Sequence, residues 1–228
     1  MKSGISSNLL RSVISPLFIS IGAVIGFNYS PRIVSKGTTA TCFSGSFTCL
    51  NKINRVEFDT TQGTISITLF NKYVPLTTSN FVTLIEQGIY DNTRFYRVIK
   101  ELKPFVIQSG NRPDIINQVP NGRNFHSIIK EPQLIPIEIA LEGEREPLYG
   151  KLVTNIADKN RVRILHNRGS LSMARSQNPN FASSQFYIAL TPLPELDGRY
   201  TVFGQVSEGM DIIDKISEGD KLITARVV

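Results

Sequence analysis

Apolar and polar residues alternate at the start of the body of this chain. Val56-Glu57-Phe58 and Ile65-Ser66-Ile67-Thr68-Leu69 have a period of two, the signature of half-buried strands. Thr61-Gln62-Gly63 between them predicts a hairpin turn, with Gly63 where a positive φ is needed. The period then lengthens. Pro75 opens a predicted helix with Phe81, Leu84 and Ile85 at helical spacing, all assigned to the core, and Gly88 ends it. Phe95-Tyr96-Arg97-Val98-Ile99 and Phe105-Val106-Ile107-Gln108 read as two strand pieces. The residues between them, 100–104, cannot continue a strand, because Pro104 lacks a backbone donor. Residues 112–167 carry five prolines and predict an irregular segment that wraps the surface, with one short strand at 135–139. Strands return at 170–174, 185–190 and 202–206. A helix around 211–216 follows, then Gly219 and a last strand ending at Val227-Val228. Many strands and two helices, without regular strand–helix alternation, predict a β-rich barrel capped by helices.

Charge changes the picture only at the N-terminus. The 228 residues have a formal charge of +6, which on its own hints at nucleic acid. Yet Lys2, Arg11, Arg32, Lys36, Lys52 and Arg55 lie in the first 55 residues, where no acid occurs. The remaining 19 basic residues balance 19 acidic ones, so the body offers no net positive field for phosphate. Lys2 and Arg11 precede an apolar run at 13–27, short for a membrane-spanning helix and suited to a secretory core. Pro16, Gly22 and Gly26 argue against a buried helix of the domain. No clear small-x-small cleavage site follows within 28–36, so removal of this leader and its retention as an anchor both stay open. Positive residues ahead of the run favour a cytoplasmic N-terminus. The expected organisation is a signal peptide or anchor at 1–30, a flexible linker at 31–54 and a folded domain at 55–228. Both cysteines, Cys42 and Cys49, fall in the Ser/Thr/Gly-rich linker, where a small disulfide loop and two free thiols are equally consistent readings.

The candidate chemistry starts at residues 93–111, where Arg97, Phe105 and Gln108 come close together on segments otherwise suited to a core. Alone, this stretch reads as well with Arg97 on a solvated strand face and Gln108 at a turn. Leu171-Ser172-Met173-Ala174-Arg175 follows downstream. Then come Ser184-Gln185-Phe186-Tyr187-Ile188 and Leu196-Asp197-Gly198-Arg199-Tyr200-Thr201-Val202-Phe203-Gly204. In order and spacing these blocks, from about Val56 to the C-terminus, resemble the cyclophilin family of peptidyl-prolyl cis–trans isomerases. The likeness is strongest to cyclophilins of cyanobacteria and of the thylakoid lumen, which share residues 135–139, Glu146-Pro147-Leu148-Tyr149-Gly150 and Met173-Ala174-Arg175-Ser176-Gln177. The resemblance implies a closed antiparallel eight-stranded β-barrel capped by two helices, behind the hydrophobic leader.

It also implies a site. Arg97 matches the catalytic arginine, and Gln108 the group that orients it and contacts the substrate backbone. Phe105, Val106, Tyr187 and Leu196 match the floor and walls that take a proline ring. Ala174, with Arg175 beside it, falls where main-chain groups pair with the peptide preceding proline. Tyr200 stands where many relatives have histidine. Three departures are visible. Val106 replaces the usual methionine, Glu195 replaces the tryptophan of cyclosporin-sensitive relatives and implies weak cyclosporin binding, and three extra residues lie between Arg97 and Phe105. The implied protein acts as a monomer on proline-containing polypeptide clients, without cofactor, metal or nucleic acid. Its place is the periplasm or thylakoid lumen, with membrane contact through the leader if that is uncleaved. The alternative is a non-catalytic proline-peptide binding or assembly module.

Other enzyme classes do poorly. His126 and His166 are the only histidines, too few for a histidine-rich metal site. Gly143 and Gly150-Lys151 lack phosphate-loop spacing, and no Gly-x-Ser-x-Gly occurs. Glu142, Glu144 and Glu146 read as a solvated loop.

Overall fold

The computed structural model describes residues 54–110 and 134–228. The expected leader and linker, Cys42, Cys49 and His126 lie outside the described residues. The first hairpin joins β1 (Arg55–Thr60) to β2 (Gly63–Leu69), with Gly63 at φ 135° as its position in the turn demands. Helix α1 (Pro75–Glu86) follows and ends before Gly88, whose φ of 66° suits the left-handed stop. The chain continues through β3 (Thr93–Arg94), β4 (Arg97–Val98) and β5 (Val106–Ser109). Residues 134–169 hold β6 (Glu138–Ile139), β7 (Leu148–Tyr149) and the short helix α2 (Ile156–Lys159). The rest is β8 (Ser170–Arg175), β9 (Ala182–Ala189), a 3-10 turn at Pro194–Leu196, β10 (Val202–Glu208), α3 (Met210–Lys215) and β11 (Lys221–Val227).

The fold is mainly β, a curled antiparallel sheet with a few helices. Its hydrogen-bonded order is β3-β11-β1-β2-β10-β8-β9-β5-β4, nine strands rather than the expected closed ring of eight. The two edge strands are consecutive in the chain, and only Phe95 and Tyr96 separate them. Phe95 N–H bonds to Asp220 O and Tyr96 N–H to Gln108 O, so residues 93–98 leave β11 and join β5 in one crossing. Phe95 is fully buried at that crossing.

The main core fills the concave face. Phe81 of α1 meets Phe58, Tyr90, Phe186 and Phe203, with ring centroids 4.8 to 6.1 Å apart. Tilted and edge-on rings are the favoured aromatic geometry, so this cluster joins α1 to β1, β9 and β10.

The expected surface-wrapping segment is corrected by its own small core. Ile137, Ile139, Leu141, Val153 and Val162 are buried together, with Leu148 and Leu152 packed on them. Nor is 135–139 one strand. Pro136 has no N–H, and its neighbours bond to different places: Ile135 pairs with Ala182, while Ile137 N–H reaches Pro179 O at 2.6 Å. Glu142 and Glu144 are solvated, as expected, and pair with Arg163 and Arg161.

Candidate active site

The convex face of β5, β9 and β8 carries a second apolar cluster, distinct from the core. Period two explains the separation. Ile107, Phe186, Ile188, Leu171 and Met173 point into the main core. Their alternates Val106, Tyr187, Ala189 and Ala174 are buried together with Leu193 on the other face, and Phe105, Leu196 and Tyr200 pack against them. Every apolar residue expected to take a proline ring, Phe105, Val106, Tyr187 and Leu196, is in this cluster, as are Ala174 and Tyr200.

Strand register brings the polar residues to the same face. Arg97 lies opposite Gln108 in the β4–β5 ladder, Gln108 opposite Tyr187 in β5–β9, and Tyr187 opposite Ser172 in β8–β9. Direct cross-strand partners share a face, so Arg97, Gln108 and Tyr187 form a row beside the apolar cluster. Arg97 is half-buried. Burial raises the Tyr96 phenol well above its usual ionisation range, and the positive charge of Arg97 next to it acts the other way. The Tyr96 hydroxyl donates to Gln185 Oε1 at 2.7 Å, and Gln108 Nε2 lies 3.4 Å from the same oxygen. Gln108 is 2% exposed, yet its Oε1 has no hydrogen-bond partner among the described residues. A buried orphan acceptor costs about 1–3 kcal/mol, so this amide oxygen is ready to accept a hydrogen bond.

Arg175 is turned away from any free role. Its Nε and Nη2 donate to Arg199 O at 3.1 and 2.6 Å, and its Nη1 to Ser176 O at 2.8 Å. The guanidinium also covers the Tyr200 ring at 4.6 Å. Burial lowers the basicity of Arg175, with Tyr200 and Tyr187 opposing that shift. The Arg175 side chain is therefore fully engaged within the fold. The 100–104 connection, three residues longer than the common pattern, is a hairpin loop closed by Phe105 N–H to Ile99 O at 2.9 Å. Lys100 Nζ donates to the carbonyls of Asp214 and Ile216 at the end of α3, which holds the loop against the body.

Three neighbours escaped the sequence reading. His166 and Asp197 lie under the Tyr187 hydroxyl, and nothing in their spacing signals this. Glu138 is fully buried, and it gave a signal: a carboxylate inside the apolar run Leu134–Ile139 needs partners. It finds them at the start of α1, where it accepts from Leu76 N–H and Thr77 N–H.

Comparison with known proteins follows the same blocks. Residues 55–227 match the family model described as cyclophilin type peptidyl-prolyl cis-trans isomerase/CLD. A Synechocystis sp. protein named as a thylakoid-lumen peptidyl-prolyl cis-trans isomerase is 33% identical over 183 residues, covering 76% of this chain and 46% of that protein. The match thus spans about half of that relative's length. The Aspergillus oryzae protein named peptidyl-prolyl cis-trans isomerase-like 1 is 34% identical over 185 residues, with 76% of this chain and 94% of that protein covered. Among solved structures, a Cryptosporidium parvum cyclophilin type peptidyl-prolyl cis-trans isomerase, crystallised in the presence of the dipeptide Ala-Pro, is similar. It has a TM-score of 0.54 at 25% identity, over 76% of this chain and 98% of that one. A cyclophilin from Hirschia baltica has a TM-score of 0.56 at 23% identity, over 77% and 74% of the two chains, a likeness of fold alone.

Proposed function

The chain belongs to the cyclophilin-type peptidyl-prolyl cis–trans isomerase family, and we propose that it accelerates X-Pro bond rotation through Arg97, in client proteins that are folding or assembling. The single observation that carries this reading is the row Arg97–Gln108–Tyr187 beside an apolar cluster separate from the core.

Amide resonance holds the X-Pro bond planar, with a barrier near ~20 kcal/mol. Midway through rotation the prolyl nitrogen becomes pyramidal and regains a lone pair. A guanidinium donor aimed at that lone pair binds the twisted amide better than either planar isomer, which is the differential binding that lowers a barrier. Arg97 has this role. Phe105, Val106, Tyr187 and Leu196 take the proline ring, and Val106, smaller than methionine, leaves a roomier slot. Gln108 Oε1 accepts from the Arg97 guanidinium or the peptide N–H, and so relieves its own burial. The strand end at Ala174 and Arg175 meets the peptide ahead of proline. The Ala-Pro dipeptide present with the Cryptosporidium parvum relative supports a proline-peptide ligand. No bond is made or broken, so the step calls for no nucleophile or cofactor.

The test is a protease-coupled isomerisation assay on a proline tetrapeptide. Arg97→Ala lowers kcat/KM by about 10²–10³, the usual cost of losing a donor to the transition state. Unchanged turnover in that variant overturns the mechanism. The exposed Glu195 and the short Val106 favour a second reading, a proline-binding module without turnover; it wins if the peptide binds this face and no isomerisation is measured.

We also propose export across a membrane, into a periplasm or thylakoid lumen. The basic–apolar leader and the name of the Synechocystis relative support this. Among the described residues no helix is long and apolar enough to cross a membrane. Fractionation with protease protection decides: a domain recovered in the cytosol refutes export.

A further inference from the structure

Under the floor of the proline slot runs a buried polar chain that the isomerisation step leaves unused. The Tyr187 hydroxyl lies 3.0 Å from His166 Nε2, and His166 Nδ1 lies 2.8 Å from Asp197 Oδ1. The same carboxylate oxygen accepts from the main-chain N–H of His166 at 2.8 Å, and the His166 carbonyl accepts from Leu193 N–H. The His166 side chain is fully buried and that of Asp197 is 13% exposed. A carboxylate only accepts, so His166 Nδ1 carries a proton and donates to Asp197 Oδ1. The Tyr187 hydroxyl closes the other end of the chain at Nε2. Burial holds that phenol far above its usual ionisation range, so it keeps its proton.

The two ends of this chain belong to different parts of the slot. Tyr187 is its floor, on β9. Asp197 directly follows Leu196, its wall, and the 3-10 turn Pro194–Leu196. Tyr200 packs edge-on against Tyr187 at 5.9 Å and 84°. A phenylalanine at the floor would be held by packing alone. A tyrosine must place its hydroxyl, because a buried hydroxyl without a partner is costly.

We propose that the Asp197–His166–Tyr187 chain is a positioning device that ties the floor of the proline slot to its wall and so sets the slot's width. His166 and Asp197 are then positioning residues for the isomerase, and this rests on the reading of the slot given above. Val106 makes the chain matter more. With a smaller residue on one side, the slot depends on Tyr187 and Leu196 to keep the ring in register with Arg97.

The test uses the full-length chain with Tyr187→Phe, His166→Leu, their double variant, Asp197→Ala and Asp197→Asn. Tyr187→Phe and His166→Leu each raise KM for the proline tetrapeptide by about tenfold, the size of one lost hydrogen bond, with kcat within about twofold. The double variant is no worse than the poorer single one, because both break one chain. Asp197→Ala behaves like His166→Leu, whereas Asp197→Asn, which keeps an acceptor for Nδ1–H, restores KM to within about threefold of the parent. A general loss of packing moves melting temperature without this split or this rescue. Independent, multiplying effects in the double variant overturn the proposal. So does an unchanged KM in Tyr187→Phe, which alone decides if His166→Leu fails to fold. If the parent binds the peptide but does not turn it over, the isomerase reading falls; the same pattern is then sought in peptide dissociation constants, where its absence overturns the positioning role as well.

Discussion

On the proposed mechanism, Arg97 works through the shape of its group as well as its charge. A lysine there keeps the positive charge, but loses the planar fork that can reach a prolyl nitrogen and the Gln108 oxygen together. Arg97→Lys should therefore lose most of the activity that Arg97→Ala loses, with kcat reduced by at least about 10-fold at little cost in stability. Peptide kinetics and a thermal melt on the same sample check both halves. Leu102 is the converse case, a residue that satisfies no local preference. It is fully exposed and has φ 61°, a left-handed conformation that costs an L side chain roughly 1–2 kcal/mol. The loop enforces it through Lys103 N–H to Glu101 O at 2.7 Å and the Lys100 anchor on α3. Asn is tolerated in this conformation, so Leu102→Asn should stabilise the fold by roughly 0.5–1 kcal/mol in chemical denaturation.

Among the elements, α1 shows how a distant segment completes a helix. Its N-cap, Val74, has no side-chain acceptor, and Pro75 has no N–H to satisfy. The next two donors, Leu76 N–H and Thr77 N–H, reach Glu138 Oε1 and Oε2 at 3.1 and 2.8 Å, from β6. Glu138 is thus a cap supplied from another element, and its charge suits the positive end of the helix. Its own N–H donates to Thr201 Oγ1 at 2.8 Å, next to Tyr200 of the slot. Burial nevertheless dominates, and pushes the Glu138 carboxyl up from 4.5 to about 7 against the hydrogen bonds that favour ionisation. The sign follows directly. A carboxyl that holds its proton more tightly when folded favours the fold fully below pH 4.5 and loses that contribution as pH rises through 7. The loss approaches roughly 3 kcal/mol by pH 8. Tyr149 across the β6–β7 pair and Glu146 are the neighbouring titratable groups, and burial keeps Tyr149 a neutral phenol. Denaturation at pH 5.5 and pH 8 should show the drop, and Glu138→Gln, which keeps an acceptor but cannot ionise, should remove most of it.

The whole molecule uses both faces of one sheet for different purposes. The concave face, with α1, holds the aromatic core; the convex face of β5, β9 and β8 holds the second apolar cluster, the proposed slot. Phe81→Ala should cost about 3–5 kcal/mol of stability, as large aromatic deletions do, yet leave kcat/KM per folded molecule within about twofold. Activity below the melting transition, normalised to folded fraction, is the check. Local order was legible because period two and period 3.6 are properties of neighbouring residues. Val56, Phe58, Ile65 and Ile67 declared a strand pair, and Phe81, Leu84 and Ile85 a buried helical stripe, before any partner was known. The separated blocks around Arg97, Phe105, Tyr187 and Leu196 likewise announced a family. Pairing between distant strands, such as β1 with β11 where Val56 meets Val227, was not legible, because backbone hydrogen bonds carry no side-chain code. The nine-stranded order, the single crossing through Phe95 and Tyr96, and the packed segment behind β6 therefore came from tertiary structure alone. So did the partners of Glu138, His166 and Asp197. A buried polar group tells the sequence only that it must be satisfied, whereas the folded chain decides by whom.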